Sequence, residues 1–294
     1  MAIAIPQLPE SQLRSHLAAY AAAQAAKRRA VLVGLVVLLI ATLSAGHMAE
    51  VDLGKFFANI HQLTSYLGRI FFLDNGRLVF TDMAEWFWGL RKWLIHIGDT
   101  LLIAYLGTLI GAIGAFFVCF AASANLSRNA TSRFVARRIL EFCRTVPELV
   151  FALIFVVAFG LGPVPGVLAI AIHTFGALGK LFSEVAENID MKTVDGAVST
   201  GASRWQAIRY AVVPQVLSNF ASYALLRFEI NVRGASVMGF VGAGGIGQEL
   251  IEAVRKFYYS DVSAILLLII ATVMVIDLVT ERIRHSLIAR ESRR

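Results

Sequence analysis

Several polar side chains stand inside or beside long apolar runs of this sequence, and their spacing pairs them. Arg144 and Glu148 are four residues apart, with Glu141 one helical turn earlier. Arg227 and Asn231 are four apart, as are Glu229 and Arg233, which puts the two pairs on different faces of one helix. His173 lies alone in a third apolar stretch. Ionisable groups at membrane depth are costly, so each is a candidate for a function or for an internal ion pair. Internal pairing is the expectation for Arg144 with Glu148 and for Glu229 with Arg233. Arg227 has no charged partner four residues away. Enzymatic chemistry is not visible. The six His are scattered without metal-ligand spacing, no Gly-x-Ser-x-Gly elbow occurs, and Gly179-Lys180 lacks the rest of a phosphate-binding Walker loop. No metal site is expected.

The elements that hold these residues follow from composition. Of 294 residues, 57% are hydrophobic and 16% charged, with 27 Lys+Arg against 20 Asp+Glu. A soluble domain carries about a quarter charged residues, so the chain reads as an integral membrane protein of several spans. Disordered, disulfide-rich and nucleic-acid-binding classes are excluded on the same grounds, and the two Cys are read as packing residues. Residues 30–46 are uncharged and follow Lys27-Arg28-Arg29. A cleaved signal peptide would have a shorter polar lead than residues 1–29, so this is read as a retained first span. Residues 100–122 form the second. Residues 149–179 are a 31-residue uncharged run broken by Gly160-Leu-Gly-Pro-Val-Pro-Gly166, read as a hairpin of two spans. To reach membrane length, the first of these must begin near Arg138. Residues 210–226 and 262–276 supply the fifth and sixth.

Lys and Arg set the orientation. Segments 1–29, 122–146, 180–209 and 281–294 hold 18 of them, and segments 47–95 and 233–262 hold 8. The positive-inside rule places both termini in the cytoplasm. The expected organisation is a cytoplasmic segment 1–29, either a short surface helix or a flexible tail, then the span 30–46. A periplasmic segment 47–95 with interfacial helices follows, with Trp86, Phe87, Trp88 and Trp93 as an aromatic belt. The core domain covers 96–285, and a basic tail 286–294.

Two motifs lie between spans. Gly242-Ala-Gly244-Gly245-Ile-Gly247 matches G-x-G-x-x-G after an expected strand, Ser236–Val241. No βαβ alternation surrounds it, so it is read as a tightly turning periplasmic glycine loop rather than a nucleotide site. The cytoplasmic segment 184–214 reads as helix, Gly201, helix, with Pro214 kinking the fifth span. Short residues at Gly196, Ala197, Gly201 and Ala202 suit close approach by another protein.

This segment resembles the coupling motif of membrane subunits of binding-protein-dependent ABC importers: Glu-Ala-Ala, three residues, Gly, nine residues, Ile-x-Leu-Pro. Here it runs Asp195-Gly196-Ala197, three residues, Gly201, nine residues, Ala211-Val212-Val213-Pro214. The spacing is kept, with Asp for Glu, Gly for the first Ala, Ala for Ile and Val for Leu. Thr145–Pro163 and Arg227–Gly247 are similar to the phosphonate-uptake permeases of that superfamily. The resemblance covers about residues 95–285. It implies an all-α membrane protein of six transmembrane helices with the type I ABC importer permease fold, close to the methionine importers. It also implies a homodimer in the bacterial inner membrane, two ATP-binding subunits beneath and a periplasmic or lipid-anchored phosphonate-binding protein outside. ATP and magnesium would sit on the partner ATPase, and Asp195–Arg204 in a groove of that ATPase. The lipid bilayer is the other partner, and nucleic acid is not one. Phosphate, phosphite or methionine are alternative cargoes, and a stand-alone carrier or channel is the alternative class. An anionic cargo makes Arg227, Asn231, His173, Glu148, Arg144 and Arg233 the candidates to line its path, with Arg227 first.

Overall fold

The computed structural model describes residues 9–73 and 75–291. These residues are almost entirely helical, and the only β feature among them is an isolated bridge between Phe72 and Leu78. The chain divides into two compact units, Met1–Ser65 and Tyr66–Arg294.

In the first unit, α1 (Glu10–Met48) is one helix of 39 residues. The described part of the amino-terminal segment and the first span are therefore continuous, and residues 1–8 lie outside the described residues. At 1.5 Å per residue α1 is about 58 Å long, more than the hydrocarbon layer needs. Most of α2 (Leu53–Ile70) also belongs to this unit.

The second unit begins with the end of α2 and a short helix α3 (Met83–Trp86), followed by α4 (Leu90–Ala122). Trp86 and Trp93 are buried in the protein core, and the Trp86 indole donates to Ser263 Oγ at 2.9 Å. They are not part of an aromatic belt; only Trp88 of the three tryptophans is exposed.

The expected third span is broken. α5 (Ala130–Thr145) and α6 (Glu148–Phe159) meet at 84°. The cause is Pro147, which has no N–H to give and forces Val146 out of the helical region, to φ −72°, ψ 124°. α6 is 12 residues, too short to cross alone. The glycine–proline turn that follows is as the sequence dictates: Gly160 and Gly162 have positive φ, and Pro163 opens α7 (Pro163–Glu187).

Past Asn188 come α8 (Met191–Ser199) and α9 (Arg204–Ala207). A π-helical stretch, Ile208–Val212, leads into α10 (Val213–Met238). The irregularity expected at Pro214 is this π-helical stretch, which ends two residues before the proline inside a helix unbroken from Arg204; Pro214 has no N–H to donate and its ring crowds the preceding turn, which the wider turn accommodates. Ser236–Val241 is not a strand: α10 runs to Met238 and one 3₁₀ turn completes the stretch, because Val232, Ala235 and Met238 continue the buried stripe of the helix. α11 (Ile246–Arg255) and α12 (Tyr259–Glu291) close the chain, and residues 292–294 of the expected tail lie outside the described residues.

Among the described residues, four helices are long and apolar enough to cross a membrane: α1, α4, α7 and α12. The bent α5–α6 pair is a fifth candidate. The remaining expected span lies on α10, whose Arg227, Glu229 and Arg233 dilute its apolar character. Three larger apolar cores, and a smaller one around Ala122, Ala136 and Leu140, hold the described part of the second unit. One, at the α8–α9 end, is built on Phe120, Phe182, Val212 and Phe220, with Phe182 and Phe220 stacked at 4.0 Å. The second joins α4, α6, α7 and α10 around Ile170, Val232 and Met238. The last joins α4, α11 and α12 around Trp93, Ile246 and Ile265. Cys119 is buried and Cys143 half-buried, and both are free thiols.

Candidate functional site

α10 presents Arg227, Asn231 and Gly234 along one face, at helical spacing, toward α4, α6 and α7. Opposite stand His173 and Thr174 of α7, Thr108 of α4 and Glu148 of α6. An Arg227 Nη2–H donates to His173 Nδ1. The His173 ring lies 3.8 Å from Glu148 Oε2. Glu148 sits in the first turn of α6, where the helix dipole favours an anion. Its carboxylate presses on α10 at Gly234, where an added Cβ would collide with Oε1. A turn away, fully buried Asn231 donates from Nδ2 to Thr108 Oγ1 and Thr174 Oγ1, both at 2.8 Å. The result is a polar seam through an otherwise apolar helix packing. Two of its buried atoms have no partner among the described residues: Arg227 Nε and Asn231 Oδ1.

The structure separates the expected Arg144–Glu148 pair. The break at Pro147 puts them on different helices, and the Arg144 side chain is exposed with no side-chain partner among the described residues. Glu148 turns instead to His173 and α10. Glu229 and Arg233 do pair, at 2.6 Å, and Asp277 of α12 joins them at 2.8 Å. Arg233 is thus neutralised by two carboxylates and faces away from the seam. Thr108, Thr174, Gly234 and Asp277 are not among the residues expected from the sequence. Asp277 carried a readable signal, an acid at the end of the last apolar run. The two threonines and the glycine carried none, because only the helix packing brings them to the seam.

The glycine loop is a buried wedge. Ala243–Gly247 are buried, and Gly242, Gly244 and Gly245 have φ of 80°, 88° and 79°. Its polar groups are used internally: Gly162 N–H donates to Gly242 O at 3.0 Å, and Ile246 N–H to Thr100 Oγ1 at 2.8 Å. The wedge joins α4, the α6–α7 turn and α10, and its geometry is not that of a phosphate cradle.

The segment expected to couple to an ATPase is the second candidate site. α8 ends in a Schellman cap, with Gly201 N–H bonded to Val198 O at 2.9 Å and Ala202 N–H to Ala197 O at 3.2 Å. The cap requires a left-handed residue, and Gly201 supplies it at φ 84° with open space around it. Ser203 and Gln206 then form a capping box that starts α9. One side of this helix–turn–helix is buried through Val194, Ala207, Ile208 and Ala211. The other side is open: Asp195 and Gly196 are exposed, as are Val198, Trp205 (72% exposed) and Tyr210. Arg204 does not project freely, since its Nη2 donates to Leu126 O at 2.6 Å. An Arg137–Glu187 pair at 2.5 Å, with Ala124 N–H on the same carboxylate oxygen, ties the base of the element to the α4–α5 loop. The arrangement is a rigid knob with a mixed apolar and polar outer face, suited to seating in a partner.

Residues 107–293 match the family model described as "binding-protein-dependent transport system inner membrane component". Among curated proteins, the chain is 43% identical over 191 residues to the phosphite transport system permease protein PtxC of Stutzerimonas stutzeri, covering 65% of this chain and 70% of the relative. It is 34% identical over 250 residues to the putative phosphite transport system permease protein HtxC of the same organism, covering 85% and 84%. It is 48% identical over 121 residues to the putative cryptic phosphonate transport system permease protein PhnE2 of Escherichia coli, covering 41% and 99%. Among solved structures, the MetNI methionine ABC transporter in an inward-facing form aligns with TM-score 0.57 at 16% identity, over 66% of this chain and 95% of that one. A bacterial ABC transporter for alginate import aligns at 0.58 and 15% identity, over 81% and 94%. These two likenesses establish the fold.

Proposed function

The chain belongs to the family of inner-membrane components of binding-protein-dependent transport systems, the ABC importer permeases, and from that premise we propose that it carries phosphonates inward along the Arg227 seam. It is a transport subunit, not an enzyme, and works with a separate ATPase and a substrate-binding protein. Within the proposal, two copies form the pathway. Two ATP-binding subunits hold the ATP and magnesium, and the binding protein delivers cargo from outside. The knob Asp195–Arg204 seats in the ATPase, and its outer contacts come from Asp195, Gly196, Val198 and Trp205. Arg204 steadies the knob from within the chain.

Arg227 carries the reading. It is a cation in the seam, hydrogen-bonded to a His nitrogen, with a buried Nε–H that has no partner among the described residues. A phosphonate oxyanion is the kind of acceptor a guanidinium binds well, through two parallel bonds. Glu148 and His173 keep that cation from holding the anion too tightly, as a release path requires. Asn231 packs the seam, and Arg233 is structural. Phosphite is the second reading, supported by the names of two relatives that cover 65% and 85% of this chain.

The test is reconstitution with the ATPase and binding protein in lipid. ATPase stimulation is compared for binding protein loaded with 2-aminoethylphosphonate, phosphite, phosphate or methionine. Stimulation by the phosphonate above the others is the expected result. Stimulation by phosphite alone reassigns the cargo, and stimulation by methionine alone overturns the oxyanion reading.

A further inference from the structure

We propose that α2 is a membrane-surface helix whose occupant is the lipid bilayer, lying along the interface. The residues of α2 sort by face, with Thr64 the one polar residue inside the apolar arc. At 100° per residue, Leu53, Phe56, Phe57, Ile60, Leu63, Leu67 and Ile70 fall within an arc of about 140°. Lys55, Asn59, His61, Gln62, Ser65 and Arg69 fill the rest, and the helix contains no acidic residue. None of α2 is buried. Phe56, Phe57 and Leu63 are each about 60% exposed, a large apolar face for water.

Three observations identify lipid as what covers that face. First, α2 starts five residues after Met48, the last residue of a membrane-crossing helix, so its first turn cannot be far from the bilayer surface. Second, its last turn is tied to the first residue of another crossing helix. Tyr66 packs edge-on against Tyr259 at 5.5 Å, and the Arg69 guanidinium lies 5.5 Å from the same ring and donates to its hydroxyl at 3.4 Å. The last turn of α2 is thus held where a span meets the interface. Third, the composition fits: an apolar face with two phenylalanines, and a polar face with basic and neutral groups only. A helix with a strong apolar face and modest overall hydrophobicity lies in the interface rather than crossing it. Asp52 accepts from Lys55 N–H at 3.0 Å and caps the first turn, so the helix begins at a fixed point.

The test uses the full chain with Cys119→Ala and Cys143→Ala, reconstituted in vesicles of phosphatidylethanolamine and phosphatidylglycerol. Single cysteines at positions 55 to 67 carry a nitroxide, and collision with oxygen and with a water-soluble nickel complex is measured. The expected result is a several-fold higher oxygen-to-nickel ratio at positions 56, 60, 63 and 67 than at 55, 59 and 62, repeating with helical period. High nickel accessibility at every position would overturn the proposal by placing α2 in water. Low accessibility of the apolar positions to both probes would overturn it in favour of a protein cover, either a second copy or the binding protein. Hydrogen exchange on the unsubstituted chain is the second measurement. Residues 53–65 should exchange several-fold more slowly in vesicles than in detergent-free solubilising polymer stripped of lipid, and equal rates would count against the bilayer as occupant.

Discussion

Arg227 and Arg233 lie on the same helix, six residues apart, and the molecule treats them oppositely. Arg233 meets two carboxylates, Glu229 at 2.6 Å and Asp277 at 2.8 Å, and binds α10 to α12. Arg227 meets a His nitrogen and, among the described residues, has no carboxylate within ion-pair distance and keeps a buried Nε–H without a partner. A guanidinium at membrane depth is tolerable when its charge and donors are answered. Arg233 is answered by the fold. Arg227 is left with donors to offer, and that difference separates a structural cation from one able to meet a passing anion.

The largest expected effect tests the contrast directly. Arg227→Ala should lower phosphonate uptake at least about tenfold, the scale of one lost charge-assisted hydrogen bond, while the subunit still assembles with its ATPase. Arg233→Ala should do the reverse, leaving uptake per assembled complex nearly intact and lowering thermal stability. Uptake in proteoliposomes and melting of the purified complex read the two. If both variants lose uptake equally with unchanged melting, the two arginines are not distinct in role.

The coupling knob offers a second effect, smaller in stability but large in function. Gly201→Val forces a β-branched residue into φ 84°, at a cost of about 1–2 kcal/mol from the backbone alone, because nothing lies within 4 Å of the added Cβ. The Schellman cap should open, so that ATP hydrolysis persists while uptake falls. Gly201→Asn, which tolerates the left-handed region, should keep much of the coupling. The ratio of transport to ATPase rate is the measurement, and an unchanged ratio in the valine variant would remove the docking role.

Much of this was legible in the sequence, for identifiable reasons. Spans α1, α4, α7 and α12 are written in apolar runs, and the turn at Gly160–Pro163 in residues that cannot stay helical. Gly201 was legible because a left-handed cap has a narrow residue choice. The α5–α6 break was also written, in Pro147, but a reading by span length overrode it and thereby paired Arg144 with Glu148 wrongly. The seam itself was only half legible. Arg227, Asn231, His173 and Glu148 stand out as polar groups in apolar runs. Thr108, Thr174 and Gly234 are ordinary in their own segments and acquire meaning only when three helices pack. The burial of the glycine wedge was invisible for the same reason.

Gly234 gives the sharpest small perturbation of the comparison. Among the α10 residues of the seam it has no side chain of its own, yet its bare backbone is what lets the Glu148 carboxylate approach α10. Gly234→Ala adds one methyl group where Oε1 now sits, so the carboxylate must swing away from the helix. α10 itself should gain slightly, since Ala is favoured over Gly in a helix interior by about 1 kcal/mol. The two contributions oppose in stability, and melting should shift little. In transport they do not oppose. A displaced Glu148 changes what Arg227 and His173 see, so uptake should fall by a few-fold with assembly unchanged. Gly234→Ala combined with Glu148→Gln then discriminates between steric and electrostatic causes. If the loss arises from moving the carboxylate charge, the double variant should behave as Glu148→Gln alone. Additive losses would instead mean that Gly234 serves helix packing, and that the seam around Arg227 does not act as one unit.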